Sequence, residues 1–301
     1  MATSGLFSGR LGLAEARIPH ADRHGLIWLS RGKLFVEDGT LRFVCTKSDD
    51  LDAGDYAIPY QNVSLVLLGP GSTVSHDALR VLARHGTLLA AIGEGGTKFY
   101  TAPPMGQGRS EVARAHARLW ADESERLSVA RRMYAFRFGK ILPHRDIAVL
   151  RGIEGARMKE TYRLTADRFR VPWEGRHYDR NNPGATDIPN QAINHAATFV
   201  ECAADIAAAA VGALPPLGFI HEDSSNAFTL DIADLFRAEI TLPMAFRVAR
   251  KALDDSSLIV ERALRREAAM EFRRSKLIPK MIDRIKDLLY VDDSSGDAQR
   301  E

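Results

Sequence analysis

Over the first hundred residues the apolar positions come in short runs separated by turn residues. Residues 25–29 are apolar, and two further runs, 33–37 and 41–44, flank Asp38-Gly39. Both residues of that pair tolerate positive φ, so the spacing predicts a tight hairpin. Residues 56–59 and 63–68 follow as strands, and Gly69-Pro70-Gly71 ends the run. Residues 75–84 break the pattern: Leu79, Val81 and Leu82 predict one short helix, with Ser75 as its N-cap and Asp77 in its first turn. Residues 88–92 and 98–101 predict two strands paired across Gly93-Glu94-Gly95-Gly96.

After the segment Thr101-Ala102-Pro103-Pro104-Met105-Gly106-Gln107-Gly108, which reads as a linker, the period changes. Val112, Ala115, Leu119, Leu127, Ala130 and Tyr134 recur at helical spacing. Further helices are predicted over 146–169, 188–212, 227–238, 241–252 and 257–289, with Pro279 expected to kink or divide the last. The fold class is therefore α+β. A small β-rich N-terminal domain, 1–102, precedes a helical domain, 103–290, and a polar tail, 291–301, expected to be disordered.

Composition narrows the function classes. At 301 residues, with 45% hydrophobic and 27% charged positions, the chain can bury a sizeable core and is not wholesale disordered. Cys45 and Cys202 stand alone, which excludes a zinc ribbon or a thioredoxin-type pair and suits a reducing compartment. The N-terminus MATSGLFSGR has no apolar signal core, and no run of 18 apolar residues occurs. The expectation is a cytoplasmic protein without a membrane span.

Net charge is only +2, but it is unevenly placed. Residues 101–180 carry 17 Lys/Arg against 10 Asp/Glu, and residues 181–301 carry 14 against 19. A basic block beside a carboxylate-bearing block suits metal-assisted chemistry on a polyanion, and it equally describes solvated helix faces.

Several apparent motifs fail. Gly69-Pro70-Gly71-Ser72-Thr73 lacks the GK[ST] ending of a phosphate loop, and no HExxH is present. Ser75-His76-Asp77 cannot be a catalytic relay, because adjacent side chains diverge. Three segments of the helical half survive. Arg151-Gly152-Ile153-Glu154-Gly155-Ala156-Arg157 opens the 146–169 helix, Gly218-Phe219-Ile220-His221 follows a Pro-Pro turn, and Asp231-Ile232-Ala233-Asp234-Leu235-Phe236-Arg237 lies in a short helix. Asp231 and Asp234 share one helical face. Gly152 and Gly155 leave room beside Glu154 for another chain to approach. One imidazole with two or three carboxylates is a mixed N/O donor set suited to Mg²⁺ or Mn²⁺. The same spacings also describe surface ion-pair ladders and a hydrogen-bonded structural histidine.

The order RGIEG, GFIH, DIAD after a β-rich domain resembles the CRISPR-associated integrase family, the DNA-integrating endonucleases called CRISPR-associated protein one. Ile18-Pro19-His20-Ala21-Asp22-Arg23, the stretch Gly69 to Ala78, and Arg137-Phe138-Gly139 are similar to its type I-E branch. By that resemblance Glu154, His221 and Asp234 match the divalent-metal ligands, and Asp231 the adjacent acidic residue of the catalytic set. Arg151, Arg157, Lys159 and Arg237 match nearby phosphate contacts. The resemblance implies insertion of foreign DNA fragments as spacers by 3′-OH attack on repeat phosphodiesters. It also implies double-stranded DNA as partner, a homodimer, and a small ferredoxin-like partner, CRISPR-associated protein two, bridging two dimers. Leu230 and Glu201 stand where relatives often carry other residues, an aromatic at the first and a neutral or aromatic side chain at the second. The residues themselves leave two other readings open: a general metal-dependent nuclease acting on branched or single-stranded DNA, and a non-catalytic DNA-binding scaffold.

Overall fold

A computed structural model describes residues 25–47, 51–101, 110–140, 143–144, 146–177 and 187–289. The 18–23 motif, the Pro/Gly linker over 102–108 and the tail 291–301 lie outside the described residues. The chain forms two compact units, 1–93 with 100–108, and 94–99 with 109–301.

The first unit holds the strands β1 (Leu26–Leu29), β2 (Gly32–Glu37), β3 (Thr40–Cys45), β4 (Gly54–Ala57), β5 (Leu65–Leu68), β6 (Thr73–Val74) and β7 (Leu88–Ile92), and the helix α1 (His76–Arg84). The strand β8 (Phe99–Thr101) completes two four-stranded sheets, ordered β4-β3-β2-β6 and β1-β5-β7-β8. Asp38 and Gly39 both take positive φ, 48° and 75°, and close the β2–β3 hairpin in the expected place, with Glu37 opposite Thr40. Leu41, Phe43 and Cys45 alternate inward along β3 and meet Leu34 in the core. Ser75 caps α1 by accepting from the Ala78 amide at 3.2 Å.

The second sheet has parallel pairs at its centre, an orientation that the apolar runs alone do not specify. β5 pairs in parallel with both β1 and β7, and all four of its residues are buried. A parallel strand is covered on both faces and reads as a continuous apolar run, as Leu65-Val66-Leu67-Leu68 does. The helix α1 provides the long connection that a parallel β5–β7 pair requires.

The second unit is helical: α2 (Ser110–Ala121), α3 (Glu123–Phe138), α4 (Ile147–Phe169), α5 (Ile188–Val211), α6 (Ala227–Leu235), α7 (Leu242–Asp254), α8 (Val260–Ser275) and α9 (Leu277–Leu289). The alanine-rich α5 is buried along most of its length and packs against α6, α7, α8 and α9. Asp122, Asp146 and Asp187 cap α3, α4 and α5 through their side chains. Two boundaries differ from expectation. The 257–289 helix is divided at Lys276, in left-handed conformation with φ 52°, and not at Pro279. Pro279 falls in the first turn of α9, where an amide has no intrahelical acceptor and its loss costs little. The 227–238 helix ends at Leu235, and Arg237–Thr241 forms a π-helical turn leading into α7. Such turns recur at functional positions because they re-aim side chains.

Candidate metal centre

The histidine segment between α5 and α6 is held by side chains at several of its backbone atoms. From α2, the His116 ring accepts the Leu214 amide at Nδ1, 3.2 Å, and donates from Nε2 to the Leu217 carbonyl, 2.8 Å. Trp120 Nε1 donates to the Gly218 carbonyl at 2.9 Å. From α4, Arg151 donates to the Ile220 carbonyl at 3.1 Å. Phe219 is buried and stacks on the His116 ring with centroids 5.2 Å apart. Gly218 is required by space, since a Cβ there would lie 2.1 Å from the His221 carbonyl oxygen.

Asp231 completes the clamp. Its fully buried carboxylate accepts the Phe219, Ile220 and His221 amides at 2.6, 3.0 and 3.0 Å, and the His221 ring at 2.7 Å. Three amides and one imidazole satisfy the carboxylate. Asp231 therefore faces the loop. An ionised carboxylate only accepts, so His221 Nδ1 carries the proton and donates it, and Nε2 is left with its lone pair. The hydrogen bond to Asp231 raises the His221 pKa, and burial opposes it. The side chain is 41% exposed, and Nδ1 is the nitrogen turned to the buried Asp231. A histidine oriented by a carboxylate at one nitrogen is the usual preparation for metal binding at the other.

Two further carboxylates meet on one guanidinium. Arg137, near the end of α3, contacts Glu154 Oε1 through Nη2 and lies 3.6 Å from Asp234 Oδ2 through Nη1. Arg237, on the π turn, holds the other Asp234 oxygen at 2.6 Å. The side chains of Arg137, Glu154 and Asp234 are 7%, 17% and 14% exposed, so the cluster is largely enclosed. Asp234 also interacts electrostatically with the His221 ring. Among the described residues no three His, Cys, Asp or Glu side chains already stand as a ready-made metal cage. A cationic side chain separates Glu154 from Asp234 instead. The donor set available around it is two carboxylates and one imidazole nitrogen, which fits a hard divalent cation that keeps some waters.

The remaining expected residues divide by position. Lys159 and Arg157 are exposed on α4, and Arg157 also stacks over the Phe138 ring at 4.9 Å. Arg151 braces the histidine loop, as above. Burial works against the charge of Arg237, while Asp234, Tyr162 and Glu154 outweigh it. A Cβ at Gly152 or Gly155 would meet nothing within 4 Å among the described residues. Sequence reasoning missed Arg137 as a site residue, although its segment carried part of the family likeness. It also missed His116 and Trp120, whose roles arise only from tertiary contact. Glu201 on α5 proves to belong to the neighbourhood. Burial raises its pKa, as do the charges of Asp234 and Asp205, against the pull of Arg237 and His221.

A strand-rich unit thus precedes a helical unit that carries clustered carboxylates, guanidiniums and a carboxylate-oriented histidine. The family described as "CRISPR associated protein Cas1" matches residues 26–145 and 137–263, and the chain belongs to it. It is 36% identical to "CRISPR-associated endonuclease Cas1" of Escherichia coli K12, over 90% of this chain and 87% of that one. It is likewise 36% identical to "CRISPR-associated endonuclease Cas1 1" of Rhodospirillum rubrum, over 89% and 85%. The structure described as "Crystal structure of TtCas1-DNA complex" superposes with a TM-score of 0.79 at 32% identity, covering 90% of this chain and 98% of that one. No helix among the described residues is long and apolar enough to cross a membrane.

Proposed function

We propose that this protein is a divalent-metal-dependent DNA integrase and endonuclease, working in the cytoplasm, that inserts foreign DNA fragments as new spacers into a CRISPR array. The observation that carries the reading is the meeting of Glu154 and Asp234 on Arg137, with His221 Nε2 turned outward by Asp231. Membership of the Cas1 family and likeness to a DNA-bound relative support it.

In this reading Glu154, His221 and Asp234 hold Mg²⁺ or Mn²⁺. When bound, the ion supplies Lewis-acid polarisation of the scissile phosphate. Asp231 keeps His221 in the Nδ1–H tautomer and fixes the loop that carries it. Arg157, Lys159 and Arg237 hold phosphates, and the bare α4 surface at Gly152 and Gly155 lets a DNA backbone come close to Glu154. The 3′-OH of the fragment gives its proton to solvent and forms a bond to a repeat phosphorus. The opposite P–O bond breaks, and its oxygen takes a proton from solvent and leaves as a new 3′-OH on the repeat strand. One phosphodiester replaces another, so positioning supplies much of the rate. Two such events on opposite strands insert the fragment. In this reading the protein works as a homodimer, with the small ferredoxin-like protein two as a bridge between dimers, and its likeness to the family supports this.

Incubation of the protein, its bridging partner, Mn²⁺, a 3′-OH-ended duplex and a repeat-bearing plasmid tests this. Joined fragment and plasmid are expected, and His221→Ala or Asp234→Ala abolishes joining while leaving DNA binding largely intact. Cleavage without joining supports the general nuclease instead, and binding without either supports the scaffold.

A further inference from the structure

We propose that Arg137 is a positioning residue that serves as counter-ion to Glu154 and Asp234 in the free protein, and that its displacement couples metal binding to DNA binding. The inference rests on the metal reading above and adds a linkage to it.

Charge balance is the starting point. Glu154 and Asp234 bring two negative charges, and Arg137 and Arg237 bring two positive charges in direct contact with them. Asp231 is outside this account, because its carboxylate is satisfied by three amides and His221. The four-group cluster is thus neutral in itself. It is also largely enclosed, where unpaired charge is expensive. A divalent cation arriving at Glu154 and Asp234 takes the same oxygens that the guanidiniums now hold. Two cationic side chains then need new anions.

A phosphodiester backbone supplies them. Guanidinium matches phosphate as well as it matches carboxylate, with two parallel donors. Arg237 is one-third exposed and sits on a π turn, placed to exchange Asp234 for a phosphate. Arg137 is nearly buried and starts one helical turn beyond Tyr134. The buried Tyr134 hydroxyl feels the charges of Glu154, Arg151 and Arg137. Metal without DNA leaves the guanidiniums stranded, and DNA without metal finds them occupied. Together each relieves the other, which is positive coupling in both directions.

The test is Mn²⁺ binding by the full-length protein, measured calorimetrically with and without a short duplex whose 3′ ends are dideoxy-blocked. The wild type is expected to bind Mn²⁺ about tenfold more tightly in the presence of the duplex. Arg137→Gln, which removes the competing cation, is expected to bind Mn²⁺ alone more tightly than the wild type and to lose most of the coupling. Arg137→Lys, which keeps a charge but not the fork, is expected to fall between. Circular dichroism confirms that each variant is folded, and if Arg137→Gln is not, the wild-type coupling and the lysine variant still decide. Equal Mn²⁺ affinity with and without DNA overturns the linkage while leaving the metal site standing. Weaker Mn²⁺ binding by a folded Arg137→Gln also overturns it, since Arg137 would then be a simple brace. Absence of Mn²⁺ binding by the wild type under both conditions overturns the metal reading and this inference together. Where the wild type binds, loss of binding in Asp234→Asn places the ion at this site, and unchanged binding places it elsewhere and overturns both.

Discussion

His221 Nδ1 lies 2.7 Å from Asp231 Oδ1, and the same carboxylate gathers the amides of residues 219, 220 and 221. One side chain thus fixes both the path of the loop and the tautomer of its histidine. Asp231→Asn puts an amide N–H₂ where only acceptors fit. It should lower stability by about 2–4 kcal/mol, the scale for leaving buried donors unpaired. Strand joining should fall together with it, because Asp231 fixes the loop that carries His221. Urea unfolding and the joining assay on the same preparation check this.

Gly218→Ala provides a steric version of the same prediction. The new Cβ would lie 2.1 Å from the His221 carbonyl and 2.7 Å from Ala227 Cβ. The loop must move, at a cost of about 1–3 kcal/mol for overpacking. A lower melting temperature with strongly reduced joining is expected, and a variant with wild-type values of both would show that the loop geometry is not needed.

Acid should weaken the fold through His116. Burial lowers its pKa to about 4, with the Leu217 hydrogen bond and Asp231 pulling the other way. Its Nδ1 accepts the Leu214 amide, so a proton there would face another N–H. The folded value lies below the unfolded value of 6.5, so the unfolded chain binds the proton first. Stability is full above pH 6.5 and is lost as pH falls toward 4, by up to about 3 kcal/mol. His116→Gln should be less stable at pH 8 but lose less stability between pH 7 and pH 4.5, as measured by thermal unfolding at each pH.

The surface of α4 should separate stability from DNA affinity. Gly155→Ala fills open space in a helix and should stabilise the protein by about 0.5–1 kcal/mol. If a DNA strand runs along this surface, the same change weakens binding. Lys159→Ala should leave stability unchanged, weaken binding regardless of sequence, and reduce the salt dependence of binding by about one counterion. Fluorescence anisotropy across a salt series reads both variants.

Local signals were legible where local chemistry decides structure. The Asp38-Gly39 turn, the Ser75 cap and the helical period after residue 110 lie in the chain itself, and the structure follows them. The parallel pairing of β5 was written only as a lack of alternation, which a buried antiparallel strand could share. The helix break at Lys276 was masked by Pro279, a residue whose usual effect disappears in a first helical turn. At the site, Glu154, His221, Asp231 and Asp234 were each visible as residue types. Their division of labour was not. That Asp231 serves the loop and Asp234 faces Arg137 depends on which side of α6 meets the chain after α5. His116 and Trp120 reach the loop from about a hundred residues away in sequence.

The most direct test of the central claim is anomalous diffraction from crystals grown with Mn²⁺ and a blocked DNA duplex. The account predicts one strong manganese peak within bonding distance of a Glu154 oxygen, an Asp234 oxygen and His221 Nε2, with His221 Nδ1 still on Asp231. A manganese peak elsewhere, with Glu154 and Asp234 still closed on Arg137, would contradict it.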